Sequence, residues 1–182
     1  MSSKLKTVFA ALTGGVGALM GGCVIGGQTI YHVDNPFQFL AHAASQGTIA
    51  VMVVGEPYPN KGDQVASVIA AAFDRTFASL GNPFRVMPAG PEKVSKIVVL
   101  FNTRHNISAH TVCDDPSEIA SGTPGMGMRT SVRAIYCGDG PYSEYWMSFF
   151  APSSPEDEKF AQLMRELALY TVPRERNPSQ YY

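Results

Sequence analysis

The chain has 182 residues, of which 45% are apolar and 16% charged, with a net charge of -1. That composition supplies a core, so it excludes a disordered chain. It offers no basic face to displace counterions, so it excludes nucleic-acid binding. Lys4 and Lys6 belong to the amino-terminal leader, which leaves the rest mildly acidic.

The first six residues carry those two lysines. Residues 8–20, VFAALTGGVGALM, are uncharged, and Gly21, Gly22 and Cys23 follow. A positive start, an apolar centre and small residues before a cut site make a secretory signal peptide. Met20-Gly21-Gly22-Cys23 resembles the lipobox of bacterial lipoproteins: an apolar residue, two small residues, then cysteine. Met20 departs from the usual Leu, and Leu19 lies one position earlier. The resemblance implies that residues 1–22 are removed and that Cys23 becomes an acylated amino terminus held in a membrane. Val24, rather than Asp, after the cysteine implies the outer membrane, with the domain facing the periplasm. The alternative is an uncleaved helix. Residues 8–25 carry no charge and just reach a membrane span, with Gly17/Gly21 and Gly22/Gly26 spaced as GxxxG.

Residues 23–46 read as the lipidated terminus and a tether. Gly26, Gly27 and Asp34-Asn35-Pro36 resist regular structure, with a short helix over 37–44 at most. Residues 47–172 read as one globular domain. Residues 48–54, TIAVMVV, form a continuous apolar run between glycines, which predicts a buried strand. Val65, Ile69, Phe73 and Phe77 recur at helical spacing, with Asp63 as the expected N-cap and Gly81 as the stop. Residues 84–87 suit a short strand and 95–101, SKIVVLF, a second buried one. Residues 102–128 read as a long irregular loop. Residues 130–137 and 142–150 predict a hairpin around Gly138-Asp139-Gly140-Pro141. In the second of these strands Tyr145, Met147 and Phe149 alternate with Trp146, Ser148 and Phe150, so burial on both faces is expected, with an aromatic face exposed for a partner as the alternative. Ser154-Pro155-Glu156-Asp157 predicts a capped last helix with Phe160, Leu163, Met164 and Leu167 on its apolar side. Residues 173–182 read as a flexible tail. The expected fold is α+β: a mixed sheet of about four to five strands covered by two amphipathic helices, in the order β-α-β-β-(long loop)-β-β-α.

The chemical signals are sparse. With Cys23 acylated, Cys113 and Cys137 remain, and two cysteines in an exported domain predict a disulfide. Closing a loop of about 25 residues contributes ~3 kcal/mol by chain entropy. His105, His110, Cys113, Asp114 and Asp115 crowd one segment, but H-x4-H-x2-C matches no strong metal signature, so His105, His110 and Asp114 are only nominal ligands. The glycine-rich run over 122–128 lacks the lysine of a phosphate loop. There is no G-x-S-x-G, and Ser108 near His110 is only sequence proximity. No cofactor and no catalytic residue are implied. The reading is a non-enzymatic envelope lipoprotein, held to the membrane through Cys23, with a structural or partner-binding role. Two alternatives stand beside it. One is a lipoprotein that binds a small ligand or cell-wall component, using 102–128 as a lid. The other is a single-pass accessory subunit that keeps its leader as a helix.

Overall fold

Two apolar runs build the centre of the molecule. They are β2 (Ile49–Val54) and β4 (Lys96–Phe101), and they pair in parallel. Neither alternates between apolar and polar residues, because both of their faces are covered. Around them the computed structural model describes residues 24–104, 106–120 and 129–174. Residues 1–23, read as leader and lipidated Cys23, together with His105, the segment 121–128 and residues 175–182, lie outside the described residues.

The elements follow as β1 (Val24–Tyr31), α1 (Pro36–Gln46), β2, α2 (Gly62–Thr76), β3 (Phe84–Val86), β4, α3 (Ala109–Asp114), β5 (Arg129–Cys137), β6 (Pro141–Phe150) and α4 (Glu158–Thr171). Six strands form one mixed sheet in the order β1-β6-β5-β4-β2-β3. The α+β architecture matches the sequence reading, with more strands than the four to five expected and four helices rather than two. The extra strand is β1, which occupies residues expected to be tether. It pairs antiparallel to β6, from Thr29 opposite Tyr145 to Tyr31 opposite Ser143. Its two glycines are accommodated rather than disruptive. Gly26 takes φ +81° within a register shift between Val24 and Gly27. Gly27 lies so close to the Tyr145 phenol that a Cβ there would collide with it.

Helices α2 and α4 lie on one face of the sheet. They place Val65, Ile69, Phe73, Phe160, Leu163, Met164 and Leu167 against Ile97, Val99, Phe101, Tyr136, Met147 and Phe149. Each such side chain fully removed from water contributes about 1.5–3 kcal/mol. The helix starts differ from the sequence reading. The N-cap of α2 is Lys61, with Asp63 inside the first turn, where its charge still opposes the helix dipole. The cap of α4 is Asp157, whose carboxylate accepts from the Lys159 amide at 3.0 Å. Ser154 instead closes a turn onto Asp157, so the predicted Ser154 cap is displaced by the stronger acceptor three residues on. Gly81, at φ +78°, ends a 3-10 turn that follows α2 rather than α2 itself.

Candidate functional site

Among the described residues, the opposite face of the sheet is only partly covered. Over β4 and β5, the helix α3 and the turn Pro116–Glu118 bury a second apolar cluster. It contains Val98, Leu100, Ala109, Val112, Ile119 and Ile135. Ser108 caps α3 by accepting from the Thr111 amide at 3.1 Å, and Asp115 accepts from the Ser117 amide and hydroxyl. Those two bonds hold the exposed Asp115 carboxyl below its ordinary pKa. Cys113 on α3 and Cys137 on β5 meet at disulfide distance, with Cα atoms 5.5 Å apart. The segment expected to be one irregular loop thus contains a short helix pinned to the sheet. Lys96, at the start of β4, is 2% exposed and donates to the Glu92 carbonyl at 3.0 Å. Burial pushes its pKa down, against the pull of Glu92, Asp115 and Asp114.

Toward β6 and β1 the same face changes character. Arg133 on β5 and Glu144 on β6 are both 4% exposed and form a buried ion pair through the Arg133 Nε and Nη2 atoms. The remaining guanidinium nitrogen, Nη1, donates to the Ile107 carbonyl at 2.6 Å, which draws the chain before α3 onto the sheet. The Trp146 indole nitrogen donates to Glu144 Oε2 at 3.2 Å. The Arg133 guanidinium lies over the Trp146 ring, 4.3 Å from its centre. His32, just after β1, sits 3.3 Å from Glu144 Oε1. The pleat explains the grouping: Arg133 pairs across from Trp146, Glu144 is two residues along, and all three point to the same side.

The chemistry of this network is that of a brace. Both Glu144 oxygens and all three guanidinium nitrogens are engaged. A carboxylate so occupied is an acceptor that fixes its neighbours. What it fixes is the indole of Trp146.

Past Trp146, toward the start of β1, the face opens. Gln28, Arg129, Ser131, Trp146 and Ser148 line a shallow cleft of about 240 Å³. Beyond it Phe150 is 58% exposed. The expectation that β6 is buried on both faces therefore fails on one of them. Tyr145, Met147 and Phe149 are in the core, while Trp146 and Ser148 are half-buried and Phe150 is open. The cover of α3 stops short of this end of the sheet.

The residues singled out from the sequence fall elsewhere. Cys23 and His105 lie outside the described residues. His110 and Asp114 are exposed on α3, and the Cys113 sulfur between them is turned toward Cys137. Among the described residues no three His, Cys, Asp or Glu side chains group as metal ligands do. No described helix is long and apolar enough to cross a membrane.

No protein-family model and no curated protein matches the chain. Among solved structures, a single-substitution variant of PelC from Paraburkholderia phytofirmans, described as a dodecamer, is distantly similar in shape. It aligns over 84% of this chain and 98% of that one, at 10% identity and a TM-score of 0.41. A likeness that weak carries no argument about this protein.

Proposed function

We propose that the protein is a lipid-anchored lipoprotein of the bacterial envelope, joined to the outer membrane through Cys23 and facing the periplasm. Its role is to dock a protein partner rather than to catalyse. The observation that carries the docking role is the Trp146 indole, braced by Arg133 and Glu144 on the part of the sheet that no described helix covers. A large aromatic held rigid at a half-open surface, ringed by Gln28, Ser131 and Ser148, has the make-up of an interface hot spot. The full occupancy of Glu144 and Arg133 argues against acid-base work by that pair. The leader supplies the address, and pairing of Cys113 with Cys137 suits an oxidising compartment.

The anchor is tested by growing cells on an alkyne-bearing fatty acid. The wild-type chain takes up the label and Cys23→Ala does not; equal labelling of both ends the proposal. The partner is tested with a photoreactive residue at Ser148 and, as control, at the exposed Ser67 of α2. A discrete protein adduct is expected from the first alone, and to be lost in Trp146→Ala. The cleft supports a second reading, a small-ligand or cell-wall-binding role. A thermal shift with an envelope glycan fragment, abolished by Trp146→Ala, would favour it. An uncleaved leader acting as a membrane helix is the third, distinguished by a mass that retains residues 1–22.

A further inference from the structure

Of the residues expected to be tether, 24–31 form β1, which is described from Val24, the residue after Cys23. Consecutive Cα atoms are about 3.8 Å apart, so an acylated Cys23 would hold the first turn of this strand at the lipid surface. Val24 pairs across from Phe149, and Phe150 pairs across from Arg129. Neighbouring strands are about 4.8 Å apart, so this corner of the sheet is the part nearest the anchor. It carries the most exposed large apolar side chain described, Phe150 at 58%, beside Arg129, itself an exposed residue.

We infer that this corner lies flush on the bilayer, with Phe150 entering the boundary between headgroups and acyl chains and Arg129 meeting anionic headgroups. The inference rests on acylation of Cys23. An aromatic and an arginine side by side suit that depth, since one is apolar and the other seeks phosphate. The charge layout supports the same tilt. At this end of the sheet, Glu56 follows β2, and Glu156, paired with Lys61 at 3.2 Å, and Asp157 precede α4. These acids lie on the side of the helices, away from Arg129, and an anionic surface would push them off while drawing the β1-β6-β5 corner down. The hairpin turn over 138–140 then points away from the membrane, about 30 Å from Phe150 along β6 at ~3.3 Å per residue.

The test uses the full chain purified from native membranes and placed in vesicles of phosphatidylethanolamine and phosphatidylglycerol that contain a phosphatidylglycerol with a photoreactive acyl chain. After illumination, mass spectrometry maps the lipid adducts and reads the mass of the amino-terminal peptide. Adducts over 149–152 and none over 138–141 are expected. Phe150→Glu should cut the adduct yield several-fold while leaving acylation intact, and the wild-type map stands alone should that variant misfold. An acylated Cys23 with adducts absent from 149–152, or spread equally to the hairpin turn, overturns the docking geometry. An unacylated amino terminus instead removes the reading on which it rests.

Discussion

The two faces of the sheet solve the same packing problem differently. Under α2 and α4, the side chains are apolar and interlocked, from Ile97 and Val99 to Phe73, Phe149 and Phe160. Under α3, the apolar cluster is smaller and ends at an ion pair, Arg133 with Glu144, whose far side is Trp146 and an open cleft. The helical face is built to exclude water and can carry most of the stability. The other face spends buried charge on holding one indole in place, which makes no sense as a way to gain stability. Replacing a buried ion pair with apolar groups is often neutral or stabilising. Under the proposed docking role, the contrast gives folding to one face and recognition to the other.

Substitutions can break that contrast, and the largest effects should come first. Phe73→Ala empties the helical face and should cost about 3–5 kcal/mol in urea denaturation. Glu144→Ala should cost a similar ~3–5 kcal/mol by leaving Arg133 buried without a partner. The paired change Arg133→Met with Glu144→Leu should restore most of that loss while abolishing the photo-adduct from Ser148. If the paired change keeps the adduct, the brace does not serve recognition.

Next in size is the link between Cys113 and Cys137. Reduction should lower stability by ~3 kcal/mol and raise amide exchange in α3 far more than in α4. Gly27→Val should follow, since its side chain would meet Tyr145. A loss of about 1–3 kcal/mol is expected, together with faster exchange confined to β1 and β6.

The smallest effect concerns Lys96. Burial lowers its folded pKa below the ordinary 10.5, so between those values the unfolded chain holds more protons than the folded one. Stability from this residue therefore increases as pH rises through that window. Lys96→Met should therefore be the more stable at neutral pH, and its advantage over wild type should shrink toward pH 10. A constant difference across that range would place the lysine in water.

Much of the helical face was legible because its periodicities are regular. Val65-Ile69-Phe73 and Phe160-Leu163-Leu167 repeat at helical spacing, and β2 and β4 are unbroken apolar runs. The first strand was not legible, because Gly26 and Gly27 carry no side-chain pattern and imitate a linker. Only the Tyr145 phenol packed over Gly27 reveals why glycine is needed there. Helix α3 was hidden by its length of six residues and by depending on a covalent pin from Cys113 to Cys137. The Arg133–Glu144 pair left a faint trace. Glu144 is the lone charge of β6, PYSEYWMSFF, and Arg133 is the lone charge of β5, RTSVRAIYC, beyond its first residue. Opposite charges so placed on paired strands signal a buried ion pair once the register is known. The aromatics of β6 suggested burial on both sides, because alternation cannot tell which face a neighbouring segment leaves uncovered.

The most direct measurement is the intact mass of the protein recovered from native membranes under non-reducing conditions. The expected result is a chain beginning at Cys23 that carries acyl groups and lacks two hydrogens for the Cys113–Cys137 bond. A chain that retains residues 1–22, or that begins at an unmodified Cys23, would contradict the anchor and with it the placement of β1 at the bilayer.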